Sequence, residues 1–186
     1  QDITARFAWP GWFAPTVADL DGDGTLEIWF GTYYGTYPNP THHLRRHVWD
    51  PTANSYPGVE IKDGGENTGN VFRPLVGDFL GNGTQSLVWV SGHGKVDLVT
   101  YTPGFGVHNH TSSLIFSTPG EGVVDMAVGE VDGLPGTDIA IVTVNTASTA
   151  TVHLVSGRSF TSTTVASGLN ELPRVVCIGD LDGDHL

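Results

Sequence analysis

The stretch Asp19-Leu20-Asp21-Gly22-Asp23-Gly24-Thr25-Leu26-Glu27 places carboxylates at positions 1, 3, 5 and 9 of a nine-residue segment. That spacing suits a hard cation. Ca²⁺ takes about six to eight oxygen ligands at roughly 2.3–2.6 Å. A tight loop could turn positions 1, 3 and 5 inward, add the carbonyl of Thr25 and close on the carboxylate of Glu27. Gly22 and Gly24 permit the backbone angles of such a turn. The stretch matches the first half of an EF-hand loop but has no Glu at position 12, where Phe30 stands. The following Glu27-Ile28-Trp29-Phe30-Gly31-Thr32-Tyr33-Tyr34 reads as strand. The expectation is a calcium loop inside a β-hairpin, with Asp19, Asp21, Asp23, Thr25 and Glu27 as ligands.

The loop recurs. Val76-Gly77-Asp78-Phe79-Leu80-Gly81-Asn82-Gly83, Val128-Gly129-Glu130-Val131-Asp132-Gly133 and Ile178-Gly179-Asp180-Leu181-Asp182-Gly183-Asp184 repeat it, with first acidic residues 59, 52 and 50 positions apart. The copies differ as ligand sets. Asp78 is followed by Leu80 and Ser86 at positions 3 and 9, which predicts a metal-free turn. Glu130, Asp132 and Asp138 keep three carboxylates but carry Leu134 at position 5, which makes them a weaker calcium candidate. Asp180, Asp182 and Asp184 supply good ligands without a position 9.

Two other groups could do chemistry. Thr41-His42-His43-Leu44-Arg45-Arg46-His47 holds three of the eight histidines. His43 and His47 would meet on a helix as a zinc pair, but the surroundings read as strand, where 43, 45 and 47 share one face. His42, His43 and His47 are therefore a possible transition-metal site on what is otherwise a polar, cationic outer strand. Tyr33, Tyr34 and Tyr37 form the candidate ligand platform, since aromatic rings near polar groups stack on sugar C–H faces. Trp29 and Trp89 look like equivalent core positions after their loops. No G-x-S-x-G, P-loop, dinucleotide fingerprint or reactive-cysteine context is present.

The elements that must position these groups are short strands. Apolar runs follow the first three loops at Ile28–Phe30, Leu87–Val90 and Ile139–Val142. Further strands are expected at His42–Trp49, Val59–Lys62, Lys95–Thr100, Ser113–Ser117, Thr151–Ser156 and Ser162–Ala166. No helical period exceeds two turns. A period near 50 with several strands per unit is the mark of a propeller. The repeats fall at about 15–70, 71–120, 121–172 and 173–186 of a single portion, 1–186, the last of them incomplete.

On these loops and the runs after them, the chain resembles FG-GAP/VCBS-type repeats. These are the calcium-loop blades of integrin α-subunit propellers and of many secreted lectins and carbohydrate-active proteins. The resemblance covers most of the chain and implies an all-β fold of about three and a half β-propeller blades. A ring of about seven blades would then need a second chain or a further segment to complete it. It also implies a secreted, calcium-stabilised module binding a carbohydrate or protein. The alternative it allows is a lyase or dehydratase acting on carbohydrate through a metal on the His42–His47 strand.

Composition agrees with an extracellular β-protein. Gly 25 and Pro 11 favour turns, and the net charge of −12 argues against nucleic acid or an anionic membrane surface as partner. The single Cys177 excludes an internal disulfide. No apolar run approaches the ~18–20 residues that span a membrane. Asn109-His110-Thr111 is the better of two N-glycosylation sequons, because Asn82 belongs to its loop.

Overall fold

The first two acidic loops each join a three-residue strand to a long one, and the third joins two long strands. In the computed structural model, residues 14–34, 41–66, 73–101, 110–170 and 175–179 are described. The strands are β1 Thr16–Ala18, β2 Glu27–Tyr34, β3 Thr41–Val48, β4 Gly58–Glu66, β5 Leu75–Gly77, β6 Ser86–Gly92, β7 Lys95–Tyr101, β8 His110–Ser117, β9 Glu121–Gly129, β10 Asp138–Asn145, β11 Ala150–Val155 and β12 Ser162–Leu169. They form three four-stranded antiparallel sheets, each in simple sequence order: β1-β2-β3-β4, β5-β6-β7-β8 and β9-β10-β11-β12. No helix occurs among the described residues, and the protein is all-β.

The second sheet lies between the other two. Alternate residues of a strand face opposite sides, and β6 uses both. Leu87 and Trp89 pack with Trp29 and Leu44 of the first sheet. Val88 and Val90 pack with Ile139 and Ile141 of the third. β6 is accordingly buried along its whole length and reads as a continuous apolar run, as a strand covered on both faces must. β12 is nearly all exposed and correspondingly rich in Ser and Thr.

The register corrects one expectation. Thr16 pairs with Trp29, and the corresponding pair in the second sheet is Leu75 with Val88. Trp29 therefore matches Val88, and Trp89 matches Phe30. Trp29 and Trp89 are not equivalent. They lie on opposite sides of their own sheets and enter the same seam from its two walls.

Polar contacts stitch neighbouring sheets near their loops. Thr16 Oγ1 donates to the Pro74 carbonyl at 2.5 Å. The Thr137 and Arg158 amides donate to the carbonyls of Asp78 and Phe79 at 2.9 and 2.6 Å. Beyond the third sheet, the Val176 amide donates to Asp125 Oδ2 at 2.7 Å. A Cβ on Gly129 would lie 2.6 Å from Ile178, so the chain after β12 runs closely over that sheet.

Candidate metal loops

In all three loops the position-1 carboxylate accepts hydrogen bonds from amides of its own turn, though not from the same positions. Asp19 Oδ1 accepts from the Gly22 and Asp23 amides at 2.8 and 3.1 Å, and Oδ2 from Gly24 at 2.8 Å. Asp78 accepts from Asn82 and Gly83 at 3.0 and 2.7 Å. Glu130 accepts from Gly133 at 3.0 Å. The position-4 glycines Gly22, Gly81 and Gly133 all have positive φ, between 62° and 72°. Position 6 is Gly with positive φ in the first two loops. In the third it is Pro135, whose ring fixes φ near about −65°, and the positive φ moves on to Gly136 at 119°. The loop conformation thus persists in the second copy, where only Asp78 of the four acidic positions remains.

In the first loop, Asp19, Asp21, Asp23 and Glu27 bring one carboxylate oxygen each to within 4.8 Å of one another. Asp23 Oδ1 accepts from the Thr25 amide at 2.7 Å, which places Thr25 in the same turn. Glu27 is fully buried and closes the loop, its Oε2 accepting from the Leu20 amide at 3.2 Å. Burial raises the Glu27 pKa against the pull of that amide and of Arg46. Hard oxygen donors at this spacing fit a cation such as Ca²⁺, since each of the four carboxylates keeps at least one oxygen with a lone pair beyond its hydrogen bonds. Asp19, Asp21, Asp23 and Glu27 would hold the ion, whose charge would relieve the repulsion among them.

Glu130, Asp132 and Asp138 also converge within 4.8 Å. Asp138 takes the part of Glu27, its Oδ2 accepting from the Val131 amide at 2.8 Å. The Ser156 hydroxyl donates to Asp132 Oδ2 at 2.6 Å and, with the Leu134 amide, holds the Asp132 pKa below its ordinary value.

The structure adds a residue that the loop pattern did not reveal. Arg46, 2 % exposed, reaches from β3 into the first loop. Its Nη2 donates to Asp21 Oδ2 at 2.5 Å and Glu27 Oε1 at 3.0 Å. Its guanidinium lies 5.7 Å from the Trp29 ring and 5.6 Å from the Tyr101 ring. Burial works against the charge, but Glu27 and Asp21 outweigh it and hold the Arg46 pKa above its ordinary value. The strand read as polar and outward-facing therefore turns Leu44 and Arg46 inward. Aligning the copies by register offers the signal: Trp29 pairs with Arg46 where Val88 pairs with Leu98 and Ala140 with Leu154. One basic residue stands where the other sheets carry leucine.

Among the described residues the histidines form no metal-capable cluster. His43 and His47 share a face of β3 but stand four residues apart, about 13 Å along a strand. His47 Nδ1 lies 2.9 Å from the Tyr56 carbonyl oxygen, and its ring stacks on Phe30 at 4.9 Å. His42 lies in β3 opposite Tyr33. Among the described residues, the metal-capable clusters are the two acidic loops and contain no histidine. Tyr33 and Tyr34 fall at the far end of β2, about 20 Å along the strand from Glu27. Tyr37, Asn109, Asp180, Asp182 and Asp184 lie outside the described residues. No helix among the described residues is long and apolar enough to cross a membrane. Comparisons with known protein families, characterised proteins and solved structures return no match.

Proposed function

We propose that the chain is part of a secreted, calcium-stabilised β-propeller that serves as a carbohydrate- or protein-binding module. The observation that carries this reading is the convergence of Asp19, Asp21, Asp23 and Glu27 within 4.8 Å, at a loop whose conformation recurs in the second sheet and in part in the third. Three meander sheets packed face to face, each with its loop between the first two strands, support the blade interpretation. The cation's part is structural: it fixes the first loop beside the seam between the first two sheets.

The register also points to what completes the stack. Phe30 and Trp49 on the outer side of the first sheet match Trp89 and Tyr101, which the second sheet buries against the first. Trp49 is 39 % exposed, and with Tyr56, 4.9 Å away between ring centroids, it repeats the Tyr101–His110 pair. A further sheet, from a second chain or another segment, covers that face in this reading. The test is binding of calcium-loaded and EGTA-treated protein to an array of oligosaccharides and extracellular proteins. Binding that depends on calcium is expected. Binding that survives complete calcium removal would count against the proposal.

A further inference from the structure

Resting on the cation reading of the first loop, a second question is what Arg46 does there. The third loop offers the comparison. Its position-3 and position-9 carboxylates are held by two separate donors: Ser156 Oγ on Asp132, and the Gly157 amide on Asp138 Oδ1 at 2.7 Å. In the first loop a single nitrogen, Arg46 Nη2, bonds both equivalent carboxylates, Asp21 and Glu27. The charges also correspond. The first loop has four carboxylates and one guanidinium, a net of three negative charges. The third has three carboxylates and Leu154 at the matching strand position, again three negative charges. Arg46 thus offsets the one extra carboxylate, Asp23.

The equivalent position carries the buried Leu98 in the second sheet and the half-buried Leu154 in the third, so packing there does not require a charged side chain. Its Nε and Nη1 make no hydrogen bond, so its hydrogen bonds are those of Nη2, and the flanking rings pack beside it. Those rings belong to different sheets, Trp29 to the first and Tyr101 to the second.

We infer that Arg46 is a positioning and specificity-determining residue of the first-loop cation site. It orients Asp21 and Glu27, sets the site charge at a value suited to a divalent ion, and passes occupancy of the loop to the seam between the first two sheets. Each unit of cation charge is repelled by the guanidinium separately, so its removal favours a trivalent ion over a divalent one.

The test is the ratio of Tb³⁺ to Ca²⁺ affinity, measured by competition with a chromophoric chelator on the full chain. Arg46→Leu installs the residue of the other sheets, and Arg46→Gln keeps hydrogen-bond donors while removing the charge. Both are expected to raise the ratio at least tenfold over wild type, whereas Arg46→Lys keeps it within about threefold. Either neutral variant suffices if the other does not fold. A ratio unchanged in a folded neutral variant overturns the inference while leaving the cation site standing. Failure of wild-type protein to bind either ion overturns both.

Discussion

Glu27→Gln removes one negative charge while preserving shape, at a residue that closes the first loop from a fully buried position. The carboxylate accepts from the Leu20 amide at 3.2 Å and from Arg46 at 3.0 Å. A carboxamide has one oxygen for two donors, so its NH₂ must face either the Leu20 N–H or the Arg46 guanidinium. Breaking a buried ion pair by removing one partner costs about 3–5 kcal/mol. Asp21 still bonds Arg46, and relief of the Glu27 desolvation offsets part of the loss, so the lower end, about 3 kcal/mol, is expected. For a chain of this size that corresponds to a Tm lower by roughly 6–12 °C. The calcium term separates loop closure from ligation. Wild type at a calcium concentration of 100 Kd gains about 2.7 kcal/mol, and the variant, short of its position-9 ligand, should gain much less. The assay is thermal unfolding followed by circular dichroism, in EGTA and in excess calcium. An unchanged Tm in EGTA, with the full calcium shift retained, would refute both roles.

Asp78→Ala should lower stability by about 1–2 kcal/mol through loss of the bonds to Asn82 and Gly83, with no change in calcium stoichiometry, as denaturant unfolding and metal analysis would check. Trp29→Ala should cost about 3–5 kcal/mol, since the indole is fully buried in the seam between two sheets; a loss below 1 kcal/mol in urea unfolding would argue against that seam. Burial lowers the His153 pKa below 6.5, with Glu121 opposing, so the ring takes up a proton more readily in the unfolded chain. That stability is present above 6.5 and is lost as pH falls through 6.5 toward the folded value. His153→Gln should flatten the decline in Tm between pH 7 and 5.5, and an unaltered profile would count against it.

Much of the fold was legible because it is local. The strand expected at His42–Trp49 is Thr41–Val48, and the apolar run Ile139–Val142 lies within Asp138–Asn145. Period-two alternation and the Gly-bearing loops set those limits. The fourth strand of the first sheet, Gly58–Glu66, runs longer than the expected Val59–Lys62, its pairing with β3 continuing to Glu66. The first acidic cluster was legible because its residues lie within nine positions. Arg46 was not, since its role depends on a cross-strand register and on Tyr101, 55 positions away. The one-residue offset between Trp29 and Trp89 had the same origin: residue type was matched where distance from the loop decides the face. The His42, His43 and His47 grouping relied on sequence proximity, which a strand spreads over about 13 Å from 43 to 47.

The central claim is that the first loop holds a divalent cation. Isothermal titration of Ca²⁺ into decalcified wild-type protein and into Asp19→Asn tests it most directly. The account predicts one tight site per chain in wild type, any third-loop site being weaker, and loss of the tight site in the variant. Absence of calcium binding by folded wild-type protein, or an identical tight isotherm in folded Asp19→Asn, would contradict it.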